Sequence, residues 1–327
     1  MNVYLTFDIE VWCGSWQGLD ARFPPAFERY IHGRSAAGEY ALPKTLEILN
    51  RHGLRGVFFV EPLFSARFGA AWLERICRLI QDAGQEIQLH LHPEWTDEIQ
   101  PPVFPDKPLK KRQHLVHYDR AEQTRLVALG RELLEAAAGR PVTAFRAGSF
   151  AANRDTLAAL AANGIAVDSS LNAAYPLSGE DLRGELDLET PQRWNGVELA
   201  PMSIFRDGLG KLRHAQIGAC SFAELRQAMD DAQAQGRGQF VILSHNFELL
   251  RSGTSLPDAV VVRRFDSLCR HLAAHRERLP TRGFADYAPP RATTARLAPP
   301  QVGKFATLTR YAEQALRRLP PALSPLR

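Results

Sequence analysis

The chain has little cysteine, no long apolar run and almost no net charge in its body, and each shortage removes a class of protein. Cys13, Cys77, Cys220 and Cys269 lie too far apart for a CxxC zinc pair, and four thiols in 327 residues are too few for a disulfide scaffold. They read as core thiols in a reducing compartment. No stretch reaches the ~18 apolar residues of a membrane span. Met1-Asn2-Val3-Tyr4-Leu5 runs straight into an acidic motif, with no basic segment and apolar stretch of the export-signal kind. A cytoplasmic location is therefore expected. Forty Lys and Arg against 36 Asp and Glu give +4. Residues 286–327 hold seven bases and two acids, a balance of +5, which leaves 33 bases and 34 acids in residues 1–285. A body at −1 has no field to attract nucleic acid, and no nucleic-acid partner is expected. There is no internal repeat.

What remains is an ordinary globular composition, 45% hydrophobic and 23% charged. Short apolar runs alternate with longer helical patterns, the sign of a βα series. Seven strands are predicted: 3–9, 56–60, 86–92, 143–147, 166–169, 197–202 and 239–244. Helices are predicted over 40–51, 71–83, 119–138, 154–162, 222–235 and 258–278. Asn153 and Ser221 are suited to N-caps, and Gly84, Gly139, Gly164 and Gly236 stand where helices end. Two connections are long. Residues 11–38 carry Trp12, Trp16, Phe23, Phe27 and Tyr30; residues 95–118 carry four prolines and the cations Lys107, Lys110, Lys111 and Arg112. Both follow strand ends, where active-site loops of βα barrels sit, so both are candidate substrate walls.

The expected organisation is a barrel over 1–285, a Pro-rich linker over 286–301 and a basic amphipathic helix and tail over 302–327. The helix, predicted over 302–319, spaces Phe305, Leu308, Ala312, Ala315 and Leu319 by three and four, with Lys304, Arg310, Arg317 and Arg318 largely elsewhere. Docking on the protein's own body is the favoured reading; peripheral contact with an anionic membrane or a partner is the other. Deleting residues 286–327 is expected to spare the barrel's chemistry.

The strand ends carry the chemistry. Asp8 and Glu10 end the first strand on one face, where two carboxylates need a cation or a shared proton. His90 and His92 end the third strand, again on one face, which suits a divalent metal. The strand over 239–244 delivers His245, whose imidazole can protonate a leaving group near neutral pH. Asn246 and Glu248 either orient that ring or cap the next turn. Arg146 leaves an apolar strand and needs an acidic partner, for which Asp8 is a candidate.

Together these residues resemble the polysaccharide deacetylase family, also called NodB-homology proteins or family 4 carbohydrate esterases, over about residues 2–284. Thr6-Phe7-Asp8 corresponds to the first motif, with Ile9 in place of its second Asp and Glu10 supplying acid one position later. His90-Leu91-His92-Pro93 is a shortened second motif. Phe145-Arg146-Ala147-Gly148-Ser149-Phe150 corresponds to the third, Asp168-Ser169-Ser170 to the fourth and Leu243-Ser244-His245 to the fifth.

The resemblance implies an α/β fold, a distorted (β/α)7 barrel. It also implies a metal-dependent hydrolase removing an N-acetyl group from an amino sugar on a nucleotide- or lipid-linked glycan precursor. Asp8 would be the base, His245 the acid and Arg146 a third catalytic residue. Glu10, His90 and His92 would hold a divalent ion, Zn first and Mn, Co or Ni as alternatives. Ile9 leaves open whether Glu10 or Asp8 is the carboxylate ligand. Trp12, Glu94, Trp95, Ser149, Phe150 and Asn246 are expected to bind substrate, and the 107–112 loop to hold its phosphates. Two rival readings are another H-x-H metal hydrolase, of amidohydrolase or phosphoesterase type, and an inactive deacetylase-like glycan-binding protein.

Overall fold

A computed structural model describes residues 1–105, 110–290 and 297–318; Lys107 and Leu319, both named above, fall outside this set. Among the described residues the strands are β1 Asn2–Ile9, β2 Arg34–Ser35, β3 Gly38–Glu39, β4 Gly56–Val60, β5 Glu86–Leu91, β6 Ala144–Ala147, β7 Val167–Asp168, β8 Gln192–Trp194, β9 Val197–Leu199, β10 Ile204–Arg206, β11 Leu212–His214 and β12 Gln239–His245. The helices are α1 Leu19–Phe27, α2 Leu42–Arg51, α3 Ser65–Phe68, α4 Ala70–Asp82, α5 Arg120–Ala138, α6 Arg154–Ala162, α7 Phe222–Ala234, α8 Ala259–Ala274 and α9 Lys304–Arg318. All seven expected strands form, each somewhat shifted or shortened at most. The architecture is the mixed α/β one expected.

The chain divides into two compact units. The first comprises Met1–Gly56, Ile204–Arg282 and Arg296–Arg327; the second comprises Val57–Ser203 and Gly283–Ala295. In the first, β1 and β12 pair in parallel from Asn2 opposite Gln239 to Asp8 opposite His245. Seven of the eight β1 residues are buried, as a parallel strand covered on both faces requires. In the second, β4, β5, β6, β7 and β9 run parallel in that order, and β8 closes the edge antiparallel to β9.

Local chemistry sets the helix ends. Asn153 and Ser221 cap α6 and α7 as expected, each in a capping box, with Thr156 and Glu224 returning the bond. Asp119 and Glu122 do the same for α5. The four glycines expected at helix ends all have φ between 64° and 75°.

Two elements differ from expectation, and a third docks on the body as favoured but differs in the face it buries. Residues 19–27 are helical although Pro24 and Pro25 lie inside, because Leu19, Phe23 and Phe27, spaced by four, bury one apolar stripe. The β8–β9 hairpin turns on Asn195 and Gly196, both at positive φ, a dipeptide that is itself a hairpin signal. Finally, α9 packs on α7 and α8 as part of the first unit. Its polar face makes the contact. The Arg310 guanidinium, 3% exposed, meets Asp207 Oδ2 and Glu224 Oε1 at 2.9 Å each, and both acids are fully buried. Arg264 pairs with Glu313 at 2.7 Å and Arg317 with Asp258 at 2.6 Å. Removal of this helix would leave the Asp207 and Glu224 carboxylates in the interior without their counter-charge, a cost in stability.

Arg310→Met is expected to lower unfolding free energy in urea by about 3 kcal/mol, the cost of leaving buried charge uncompensated; an unchanged midpoint and slope would refute this role for Arg310.

Candidate active site

In the first unit, the β1–β12 register places Asp8 beside His245. Asp8 is 3% exposed and Glu10 6%. One ligand atom from each of Asp8, Glu10 and His245 lies within 4.8 Å of the others. Two carboxylates so close and so buried favour a cation between or beside them. Asn246 fixes the strand ends: its Oδ1 accepts from the Glu10 N–H at 3.1 Å, and its Nδ2 donates to the Glu10 carbonyl at 3.0 Å and the Tyr30 carbonyl at 2.6 Å. An amide so committed positions Glu10. Trp12, expected to touch substrate, donates its indole N–H to Glu10 Oε2 at 2.6 Å.

His245 Nδ1 lies 2.8 Å from Glu248 Oε1. Of the two roles open to Glu248, orienting the ring is the one observed. Desolvation alone would lower the imidazole pKa, but the Glu248 hydrogen bond and the charges of Glu10, Glu248 and Asp8 outweigh it and push the pKa up to about 9. Burial alone would raise the Glu248 pKa; the imidazole, the Gln216 amide and the Gly218 N–H together hold it below the usual carboxylate value.

The second unit supplies the histidine pair. His90 Nδ1 lies 2.8 Å from the Arg146 carbonyl, its register partner across β5 and β6. A carbonyl only accepts, so Nδ1 carries the proton and the Nε2 lone pair is left for a metal. The His92 ring stands edge-on to it, centroids 4.8 Å apart, with Nδ1 3.3 Å from Glu94 Oε2. A Cβ at Gly148 would fall 2.7 Å from the His92 ring and 2.8 Å from the Leu91 carbonyl, so glycine is required for the ring to sit there.

One residue of this unit escaped the sequence reading. Glu61 follows β4, is 1% exposed, and has its pKa pushed up to about 8 by burial, partly offset by the Leu63 N–H and the charge of His92. An acid directly after the apolar run over 56–60 was the available signal.

Arg146 is fully buried. Its guanidinium bonds the Ser169 carbonyl and hydroxyl at 3.1 Å each and lies 4.4 Å from the Phe59 ring centroid. Asp168 has its pKa raised to about 6 by burial, against the opposing pull of the Ser170 hydroxyl and N–H and the Arg146 charge. Ser149 and Phe150 follow at φ 54° and 57°, strained for residues with a Cβ. Ser149 is exposed, while Phe150 packs on Tyr175. Trp95, 2% exposed, packs edge-on against Phe64 and Phe68. In the loop expected to hold phosphates, Lys111 pairs with Glu98 at 2.6 Å and Arg112 with both oxygens of Glu122, while Lys110 is exposed.

Other cations line a cavity. Beside His245 the first unit holds a space of about 530 Å³ walled by Trp12, Tyr30 and Phe247 together with Arg29, Arg251 and Arg317. Arg29 lies 5.3 Å from the Tyr30 centroid and pairs with no carboxylate among the described residues. Arg317, from α9, is held at the wall by Asp258 and the Gly218 carbonyl.

No family model and no curated protein matches the chain. Among solved structures it is similar to a "putative polysaccharide deacetylase from Mycobacterium smegmatis", at 20% identity over 89% of this chain and 94% of that one, with a TM-score of 0.52. A family 4 carbohydrate esterase from Streptomyces lividans, in complex with acetate, is 15% identical over 86% and 91%, with a TM-score of 0.40. A CE4 family pseudoenzyme from Bacillus anthracis is 14% identical over 84% and 60%, also at 0.40. The first of these shows that the chain has the fold of that protein, the α/β fold that the motifs implied.

Glu248→Gln removes the negative partner of His245 while keeping the shape. The His245 titration followed by NMR is expected to fall from about 9 by on the order of one pH unit or more, so that the ring loses its proton at lower pH; an unmoved midpoint would show that Glu248 does not set it.

Proposed function

We propose that the protein is a metal-dependent hydrolase that removes the N-acetyl group of an amino sugar carried on a phosphate-bearing precursor. The observation that carries the reading is the set formed by the buried Asp8 and Glu10 with the half-buried His245, one ligand atom of each within 4.8 Å of the others, with His245 oriented by Glu248. The fold shared with the mycobacterial protein, named for polysaccharide deacetylation, agrees with it.

The donor chemistry fits a divalent ion. Glu10 offers a carboxylate oxygen, the fixed tautomer of His90 offers Nε2, and His92 offers a ring nitrogen. We assign these three as ligands, with zinc as the expected ion. When bound, the ion supplies Lewis-acid polarisation of the acetyl carbonyl and eases deprotonation of water. Asp8 accepts the proton of the attacking water. His245, protonated at a pKa near 9, suits an acid better than a ligand, and gives a proton to the amine nitrogen as the C–N bond breaks. Arg146 positions the turn over 168–170 through Ser169. Trp12 holds Glu10 and walls the cavity, and Arg29, Arg251 and Arg317 face the anionic part of the substrate, since guanidinium groups bind phosphate oxygens through paired charge-assisted hydrogen bonds.

Two measurements test this. Wild-type protein loaded with zinc is expected to retain about one ion per chain and to release acetate from N-acetylglucosamine 1-phosphate or UDP-N-acetylglucosamine. His92→Ala should lose both the ion and at least about 100-fold in kcat/KM, the scale of a lost metal site. A wild type that holds no divalent ion after zinc or manganese loading ends the enzyme reading and leaves a glycan-binding protein of the same fold. Turnover of phosphate esters without acetate release would point to a phosphoesterase.

Arg29→Gln is expected to raise KM for a phosphorylated N-acetyl sugar about tenfold, or 1.4 kcal/mol, with kcat unchanged and neutral chito-oligosaccharides unaffected. Equal losses on both substrates would refute phosphate recognition by this residue.

A further inference from the structure

The C-terminal helix is docked with its polar face inward. Ala306, Thr307 and Arg310 are buried and Glu313 is turned into the pair with Arg264, while Phe305 is 85% exposed, Leu308 56% and Tyr311 40%. Ala312 and Ala315 continue the exposed stripe. The apolar side that would ordinarily be buried against a protein core is thus turned away from it. The stripe extends beyond the helix. Gly208 packs on the start of α9, where a Cβ would fall 2.5 Å from the Lys304 Cα, and its N–H donates to Thr307 Oγ1 at 2.8 Å. This contact sets Leu209, 60% exposed, beside the N-terminal turn of α9.

Within the two segments that carry the patch, the exposed charges are of one sign. Lys304 and Arg318 are exposed at the two ends of α9, and Arg206 and Lys211 flank Leu209. Among the described residues of 204–211 and 297–318, no acid is exposed. The acids of these segments, Asp207 and Glu313, are turned into pairs with Arg310 and Arg264. A second copy of this face would bring the same four cations against these four, with no exposed carboxylate in these two segments to receive them. A layer of anionic lipid headgroups over acyl chains matches both features: it accepts the cations and takes up Phe305, Leu308 and Leu209. At 15 residues, α9 is about 22 Å long, enough to lie along the interface. No described helix is long and apolar enough to cross a membrane.

We infer that the exposed face of α9, with Leu209 and the rim of Lys304, Lys211, Arg206 and Arg318, docks the protein peripherally on an anionic lipid surface. The inference is independent of the proposed hydrolase activity, because binding is read without substrate.

The full-length protein is sedimented with vesicles of phosphatidylcholine containing about 30% phosphatidylglycerol, and with phosphatidylcholine alone. The bound fraction is expected to be at least tenfold higher on the anionic vesicles and to fall as salt is raised from about 0.1 to 0.5 M. The double variant Phe305→Ser, Leu308→Ser should lose at least tenfold in partitioning with an unchanged Tm, because both side chains are exposed. Lys304→Gln with Lys211→Gln should weaken binding and flatten the salt dependence. Failure of wild type to bind anionic vesicles, or equal binding by the serine variant, overturns the inference. So does a concentration-dependent dimer that the serine variant abolishes in the absence of vesicle binding, since the face would then belong to a second copy.

Discussion

The parallel register between the first strand and the last is the constraint on which the acid–base chemistry depends. It sets Asp8 opposite His245, and the hydrogen bonds from Asn246 to both backbone groups of residue 10 hold that register at the strand ends. A slip of one residue would turn every side chain of β1 to its other face. It would exchange Asp8 for Phe7 or Ile9, both apolar. Covered on both faces, β1 has no tolerance for such a slip, because its outward and inward residues are equally committed to packing.

The polar groups around this register act in pairs of opposed effects. Burial works against charge on His245, Glu248, Asp168 and Glu61 alike, and what differs is the company each keeps. His245 and Glu248 stabilise each other's charged forms; Asp168 has two bonds to Ser170 and the Arg146 charge, which recover only part of the penalty; Glu61 has chiefly the Leu63 N–H and remains far displaced. One fold thereby holds carboxyl groups of very different proton affinity, which is a requirement of acid–base work.

Much of the fold was legible because its signals are local. Strand runs such as Gly56–Val60 and Gln239–His245 are apolar throughout, and the Asn153 and Ser221 caps carry their own reciprocal partners. The helix over Leu19–Phe27 was not, because Pro24-Pro25 reads as a breaker while tertiary burial of Phe23 and Phe27 decides the outcome. For the site, period-two alternation brought Asp8 with Glu10 and His90 with His92. It could not show that Asn246 serves the backbone, that Lys111 and Arg112 are already paired, or that Arg29, Arg251 and Arg317 gather at one cavity, since each depends on residues distant in sequence. The amphipathic period of α9 was visible too, but not which face would be turned inward. That was decided by Asp207 and Glu224, two buried acids for which Arg310 is the counter-charge.

The separation of 236 residues between Glu10 and Asn246 has a temporal side. At about 5 to 20 residues per second of synthesis, β1 leaves the ribosome roughly ten to fifty seconds before the strand that pairs with its outer edge. For that interval an apolar strand presents unpaired backbone groups, a state prone to wrong pairing. The nascent chain therefore passes through a vulnerable period set by topology, in which one edge of β1 waits for β12.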